Sequence, residues 1–266
     1  MSRFLVCAPD YFSIDYEINP WMRRKNEVHS DRARDQWEGL VRVLEQEAGA
    51  ILERLDPVPG LPDLVFTANA GVVQGRRAVV SRFRHPERQR EEIHFENWFR
   101  AQGYEVGLLE KGLFFEGAGD LLGFPDTWFG GYRQRSDIRA YPVLSEIFQR
   151  EIIPVELVDS RFYHLDTCFC PLSGGELLYY PPAFDPYAQA AIAERVPAVR
   201  QVVVPESDAL KFACNAVCVG KHVVLPTGCE TTERLLHERG YLTHPTPLDE
   251  FLKSGGSAKC LTLALD

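Results

Sequence analysis

Short apolar runs recur along the chain two or three at a time, and each group is followed by a single helical segment. The runs expected to be strands are residues 3–8, 50–55, 64–67, 71–74, 78–82, 104–109, 119–124, 152–158, 167–172, 176–180, 200–204, 216–219, 222–225 and 260–265. Several are joined by glycine turns (Gln74-Gly75-Arg76, Ser173-Gly174-Gly175, Gly220-Lys221) that suit hairpins rather than long crossovers. Helices are expected at 31–48, 86–102, 138–149, 186–195, 230–239 and 247–253. In the first, Trp37, Leu40, Val41, Leu44 and Ala48 recur at helical spacing behind a Ser30 or Asp31 cap, and Gly49 lies just past the end. The second carries Ile93, Phe95, Trp98 and Phe99, and Asp185 with Pro186 opens the fourth. This order disfavours a doubly wound sheet. No GxGxxG opens a helix after a strand and no GxxxxGK[ST] occurs, so neither a dinucleotide nor a P-loop fingerprint is present. The fold expected is α+β, an array of small repeated units around a central site, with repetition of structure rather than of sequence.

The chain's 266 residues, 45% hydrophobic and 25% charged, can complete a core without staples. No linker, charge block or low-complexity tract divides them, so one domain over 1–266 is expected. With 29 Lys+Arg against 38 Asp+Glu the net charge is −9, which argues against nucleic acid and anionic membrane as partners. No apolar run approaches the roughly 20 residues that span a bilayer, and the N-terminus lacks a basic region before a long apolar stretch. Seven cysteines, an odd number, fit reduced thiols better than a disulfide framework, and a cytoplasmic location is the expectation.

Four polar segments stand beside small residues at the ends of expected strands. They are Phe66-Thr67-Ala68-Asn69-Ala70-Gly71, Phe115-Glu116-Gly117-Ala118-Gly119-Asp120, His164-Leu165-Asp166-Thr167 and Gly255-Gly256-Ser257-Ala258-Lys259-Cys260. Together they supply a thiol, an imidazole, carboxylates and an amide, with glycines that let backbone approach a ligand. That set suits a cysteine-dependent hydrolase. Cys260 is expected at the opening of a strand; core packing is the competing reading for any cysteine. A thiol of pKa about 8.5 is only a few per cent thiolate at pH 7, so catalysis needs a neighbouring cation. On a strand, His164 and Asp166 share one face, which brings imidazole and carboxylate into one cavity. Glu116 and Asp120 form either a solvated turn or a pocket for a planar cation such as guanidinium. A metal reading of His164, Asp166, Cys168, Cys170, Cys214 and Cys218 is weaker, because no CxxC spacing occurs and the cysteines lie among apolar residues.

The joint occurrence, in order, of Asn19-Pro20-Trp21-Met22, FTANAG, FEGAGD, HLDT and a C-terminal cysteine resembles the guanidino-group-modifying, or pentein, superfamily of arginine deiminases, dimethylarginine dimethylaminohydrolases and amidinotransferases. The resemblance covers nearly the whole chain. It implies a five-bladed, pseudosymmetric propeller of ββαβ units around a central pocket. It implies Cys260 as nucleophile, His164 as general acid and base, and Glu116 and Asp166 as holders of the guanidinium nitrogens. Asp120 would support that pocket or the substrate's α-amino end. Arg88 and Arg135 stand where related enzymes use arginines for an α-carboxylate. No metal or organic cofactor is implied; the partner is a small guanidino compound, and a homo-oligomer stays open.

Asn69 departs from the Asp common at this point in deiminases and dimethylarginine hydrolases. With Asn19 as a second amide and the closing KCLTL, this version resembles arginine dihydrolases, which convert arginine to ornithine, ammonia and carbon dioxide. An amide both donates and accepts, so it suits a neutral ureido intermediate awaiting a second attack. An arginine deiminase, a methylarginine hydrolase and an amidinotransferase are the alternatives within the same chemistry. A non-catalytic guanidino sensor is the alternative of another class, and it has no need of a nucleophile.

Overall fold

The paired apolar runs build five three-stranded sheets in the computed structural model, which describes residues 2–265; positions 1 and 266 of the expected domain lie outside the described residues. Four sheets share one wiring. Two antiparallel strands come first, then a helix, then a third strand parallel to the second. Gly71–Gln74, Arg77–Val80 and Glu105–Leu108 form one such sheet, with the helix Glu92–Ala101 before the last strand. Leu121–Gly123, Thr127–Tyr132 and Glu151–Glu156 form the next, around the helix Ala140–Phe148. Phe169–Pro171, Leu177–Tyr179 and Gln201–Val203 follow with the helix Pro186–Arg195, and Val217–Val219, His222–Pro226 and Leu242–Thr246 with Glu230–His237. The fifth sheet reaches the same arrangement from distant segments. Leu263–Ala264 runs antiparallel to Arg3–Cys7, and Ile51–Leu55 is parallel to Arg3–Cys7 after the helix Ser30–Arg42.

The core lies between helices and sheets. Trp37, Leu40, Val41 and Leu44 are buried with Phe4 and Val6, while Phe95 and Phe99 are buried with Ala78 and Val80. Full burial of each large apolar side chain stabilises by about 1.5–3 kcal/mol. Among the described residues no helix is long and apolar enough to cross a membrane.

Several expectations need correction. The first helix has His29 at its N-cap with no side-chain cap bond, and it runs into a π-helical turn at Val43–Glu47. Asp185 does cap its helix, accepting from the Ala188 and Tyr187 amides. Residues 86–102 are two helices, Pro86–Gln89 and Glu92–Ala101, because Arg88 and Glu91 turn inward to pair with each other. The expected strand 64–67 is instead a pair of 3-10 turns, Pro62–Val65 and Thr67–Ala70. Two strands were missed because they carry poor strand formers. Thr127–Tyr132 includes Gly130, where a Cβ would strike the Tyr141 ring at 2.5 Å, and Leu242–Thr246 includes Pro245, tolerated on an edge strand.

Candidate active site

Each sheet's first strand is preceded by a tight turn, and the polar side chains sit in those turns. Thr67–Ala70 leads into Gly71–Gln74 and carries Asn69; Gly117–Gly119 leads into Leu121–Gly123 between Glu116 and Asp120; Leu165–Thr167, which carries Asp166, follows His164 and leads into Phe169–Pro171. Asn215 stands just before Val217–Val219, and Cys260 just before Leu263–Ala264. The turns pack on one another with almost no room. Gly117 has φ +63°, and a Cβ there would lie 2.8 Å from the Gly71 carbonyl oxygen and 2.9 Å from that of Ala68. At Gly119 a Cβ would meet the Asn69 amide nitrogen and lie 3.4 Å from the His164 ring.

Cys260 Sγ lies 3.4 Å from Asp166 Oδ2, to which its thiol donates, and accepts from Asn215 Nδ2 at 3.1 Å. His164 Nε2 lies 2.7 Å from Glu116 Oε2. The same oxygen accepts from Arg135 Nη1 at 2.8 Å, and Oε1 accepts from the Arg84 amide at 3.1 Å. All these side chains but that of Arg84, which meets Glu116 through its backbone amide, are buried. Burial alone would raise the Glu116 carboxyl, yet Arg135 and His164 overrule it and hold the group well below the usual carboxylate range. Asp166 has no such partner: burial pushes it up to about 7 against the pull of Lys259, the Cys260 thiol and Asn215. Burial and then Asp166 hold the Cys260 thiol well above its ordinary value.

A narrow cavity of about 10 Å³, about the room one water takes, is lined by Asn19, Asp63, Asn69, Arg88, Arg135, Tyr163 and Cys260 among others. Of the residues singled out in the sequence, Glu116, His164, Asp166 and Asp120 are not on its lining. Glu116 is one hydrogen bond from it through Arg135, and Asp166 one hydrogen bond from it through Cys260. Arg88 makes a bidentate pair with Glu91 at 2.9 and 2.7 Å and donates to Asn69 Oδ1 at 2.8 Å. Asn69 Nδ2 donates in turn to the Glu116 carbonyl at 3.0 Å, so an Asp in this rotamer would set oxygen against oxygen. Arg135 stacks 4.8 Å from the Tyr163 ring centroid. Asn19 lines the cavity, but its amide holds a local turn, accepting from the Trp21 and Met22 amides and donating to the Ser254 carbonyl. A second, mostly apolar cavity of about 210 Å³ reaches Lys259 and none of the other site groups.

Three expectations change here. His164 and Asp166 do not share a strand face; Leu165–Thr167 is a 3-10 turn, which sends the imidazole to Glu116 and the carboxylate to Cys260. Cys260 lies in a turn, and the strand begins only at Leu263. Glu116 has both oxygens engaged, and the guanidinium it meets here is that of Arg135. The acids with orphaned buried oxygens are Asp166, at Oδ1, and Asp63, at Oδ1 with the Tyr16 hydroxyl as neighbour. Asp63, Tyr163, Asn215 and Lys259 were missed as site residues. Asp63 stands six residues before Asn69, against the apolar run 64–67, and Asn215 lies between Cys214 and Cys218 among apolar residues.

Asp120 faces the scaffold. It accepts from the Ser136 hydroxyl at 2.6 Å and from the amides of Ser136 and Leu165 at 3.2 and 3.0 Å, while the Ser136 hydroxyl accepts from the Glu116 amide. Asp120→Ala orphans two buried amides at about 1–3 kcal/mol each, so urea unfolding should register a loss of about 3 kcal/mol. A loss below about 1 kcal/mol would contradict this clamp.

Residues 8–265 match the family described as N,N dimethylarginine dimethylhydrolase, eukaryotic. The chain is 47% identical over 266 residues to the bifunctional arginine dihydrolase/ornithine cyclodeaminase ArgZ of Synechocystis sp., an alignment covering 98% of this chain and 37% of that protein. It thus spans little more than a third of that relative. It is 37% identical over 263 residues to the N(G),N(G)-dimethylarginine dimethylaminohydrolase of Mycobacterium tuberculosis, covering 99% of this chain and 85% of that one. The N-terminal domain of an ArgZ variant, solved covalently bonded to a reaction intermediate, superposes with a TM-score of 0.97 at 45% identity, covering 100% of this chain and 98% of that one. With the match extending over nearly all of its length, the chain belongs to the dimethylarginine dimethylaminohydrolase family.

Proposed function

We propose that this chain is a cysteine-dependent hydrolase of the guanidinium group of L-arginine, carrying the reaction through to ornithine, ammonia and carbon dioxide. The observation that carries the reading is a set of polar groups around one thiol, in which two acids keep a buried oxygen without a hydrogen-bond partner and two ion-paired arginines stand beside them. Asp166 keeps an orphaned oxygen beside Cys260, Asp63 keeps another on the cavity wall, and Arg88 and Arg135 border the same cavity. Arginine offers a guanidinium, an α-ammonium and an α-carboxylate, in that order, to these groups. We read the five sheets as blades of a pseudo-fivefold propeller, one catalytic domain whose leading turns meet at the site.

In the chemistry that follows, guanidinium bound at Asp166 favours the Cys260 thiolate, which attacks the guanidino carbon. Glu116, ionised and an acceptor only, fixes the proton of His164 on Nε2 and leaves Nδ1 to exchange protons with the substrate. His164 protonates the departing ammonia, and a covalent thiouronium remains. Water, deprotonated by His164, adds to that carbon and expels the thiolate, giving citrulline. A second attack on the ureido carbon, with Asn69 as its neutral neighbour, releases ornithine, and hydrolysis of the remaining carbamoyl thioester gives the second ammonia and carbon dioxide. Overall, arginine and two waters yield ornithine, two ammonia and carbon dioxide. The arginine dihydrolase ArgZ, and the covalent reaction intermediate bonded to its N-terminal domain, support a covalent reaction on arginine.

The test incubates the protein with arginine, methylated arginines and citrulline and quantifies ornithine, citrulline and ammonia. Ornithine with two ammonia per arginine is expected. Citrulline as the sole end product of arginine would replace the reading with a deiminase, and turnover confined to methylated arginines with a dimethylarginine hydrolase.

A further inference from the structure

We infer that Asn215 is the positioning residue that sets Cys260 for attack, holding the nucleophile's loop with its amide oxygen and meeting the sulfur with its amide nitrogen. The inference rests on Cys260 being the nucleophile. Asn215 is completely buried. Its Oδ1 accepts from the backbone amides of Ser257 at 3.0 Å and Cys260 at 3.1 Å, and its Nδ2 donates to Cys260 Sγ at 3.1 Å and to the Asp166 carbonyl at 3.0 Å. One planar amide thereby spends its full bonding capacity on the two segments that make the reaction centre. Thiol and Asp166 are held at a fixed separation by the same group. Asn215 stands two residues before its sheet's first strand, as Asn69 does in another sheet, so the sheet geometry delivers both amides to the same place.

The nitrogen has a role beyond packing. In the resting state the thiol donates to Asp166, and loss of its proton turns that contact into a like-charge one. Among the described residues no other side chain donates to the sulfur, so the Asn215 N–H is the side-chain donor already aimed at the developing anion. In buried surroundings a hydrogen bond to an anion is stronger than one to its neutral parent. Asn215 therefore favours thiolate over thiol, opposing the burial that favours thiol.

The full chain carrying Asn215→Asp or Asn215→Ala tests this. Aspartate keeps an acceptor for the two amides and replaces the donor with an oxygen; alanine removes both. The readouts are the pH dependence of Cys260 alkylation by iodoacetamide, located by mass spectrometry, and kcat and KM for arginine. In both variants the alkylation midpoint should move up by about one pH unit or more. For Asn215→Asp, kcat should fall about 10²–10³-fold with KM changed less than about threefold. An unmoved alkylation profile in either soluble variant, or Asn215→Asp turnover within about twofold of the parent chain, overturns the inference. Turnover persisting in Cys260→Ser takes the nucleophile assignment down and this inference with it. An inactive Cys260→Ser beside an unmoved Asn215 profile overturns this inference alone.

Discussion

Replacing Cys260 with serine should remove arginine turnover by about 10⁴-fold or more while leaving arginine binding nearly intact. The hydroxyl is smaller than the thiol and can still donate to Asp166 and accept from Asn215, so the loop keeps its anchors. What it cannot do is ionise. Even the thiol, held up by burial and by Asp166, needs the substrate's positive charge to lose its proton, and an alcohol lies several units further away. In the proposed reading, binding draws on other groups, namely Asp63, Arg88, Arg135 and the unpartnered oxygen of Asp166. Calorimetry with arginine and a progress curve for ammonia check both halves. Turnover within about tenfold of the parent chain would rule out covalent catalysis at this residue.

Glu116→Gln should cost both activity and stability. The carboxylate accepts from Arg135, His164 and the Arg84 amide, and its removal leaves a buried guanidinium without its anion. Breaking a buried pair from one side costs about 3–5 kcal/mol, and the amide's surviving contacts put the expected loss near 3. On the catalytic side, a Gln amide can donate or accept, so it no longer dictates which His164 nitrogen is protonated. A fall of about 10³-fold in kcat is expected. The pH dependence of stability supplies a separate signature. Because the folded-state carboxyl is held below its ordinary value of 4.5, Glu116 stabilises the fold above that pH, and this contribution drains away as pH falls below it. Denaturation midpoints of the parent chain should therefore drop more steeply below about pH 4.5 than those of Glu116→Gln. Parallel acid limbs would contradict the ion pair.

Strand pairing was legible in the sequence because it rests on local chemistry. Gly75 and Gly220 both take the positive φ that their hairpin turns demand, and the apolar runs beside them pair as antiparallel strands. Site composition was legible for a related reason: a carboxylate, an imidazole and a thiol next to glycines are rare enough to stand out. Their geometry was not. The alternation rule put His164 and Asp166 on one face, yet a short 3-10 turn, which leaves little mark on a sequence, gives them different partners. Asn215 and Asp63 were hidden for opposite reasons. Asn215 works through backbone groups of a segment 42–45 residues away, which no local pattern reveals. Asp63 sits beside an apolar run whose strand-like appearance masked a pair of turns.

Cys260 is seated by a pairing between two of the most widely separated stretches of the described chain, Phe4 with Ala264 and Leu5 with Leu263. Contacts of such long sequence separation are slow to form, since loop-closure entropy must be overcome before they contribute. The pairing involves only two residues of the closing strand, and the turn that carries Cys260 is tied in addition to Asn215 and, through the Cys260 carbonyl, to the Ala68 amide. Competence is therefore a property that no single sheet holds by itself: it needs contacts drawn from both ends of the described chain and from the turns between them.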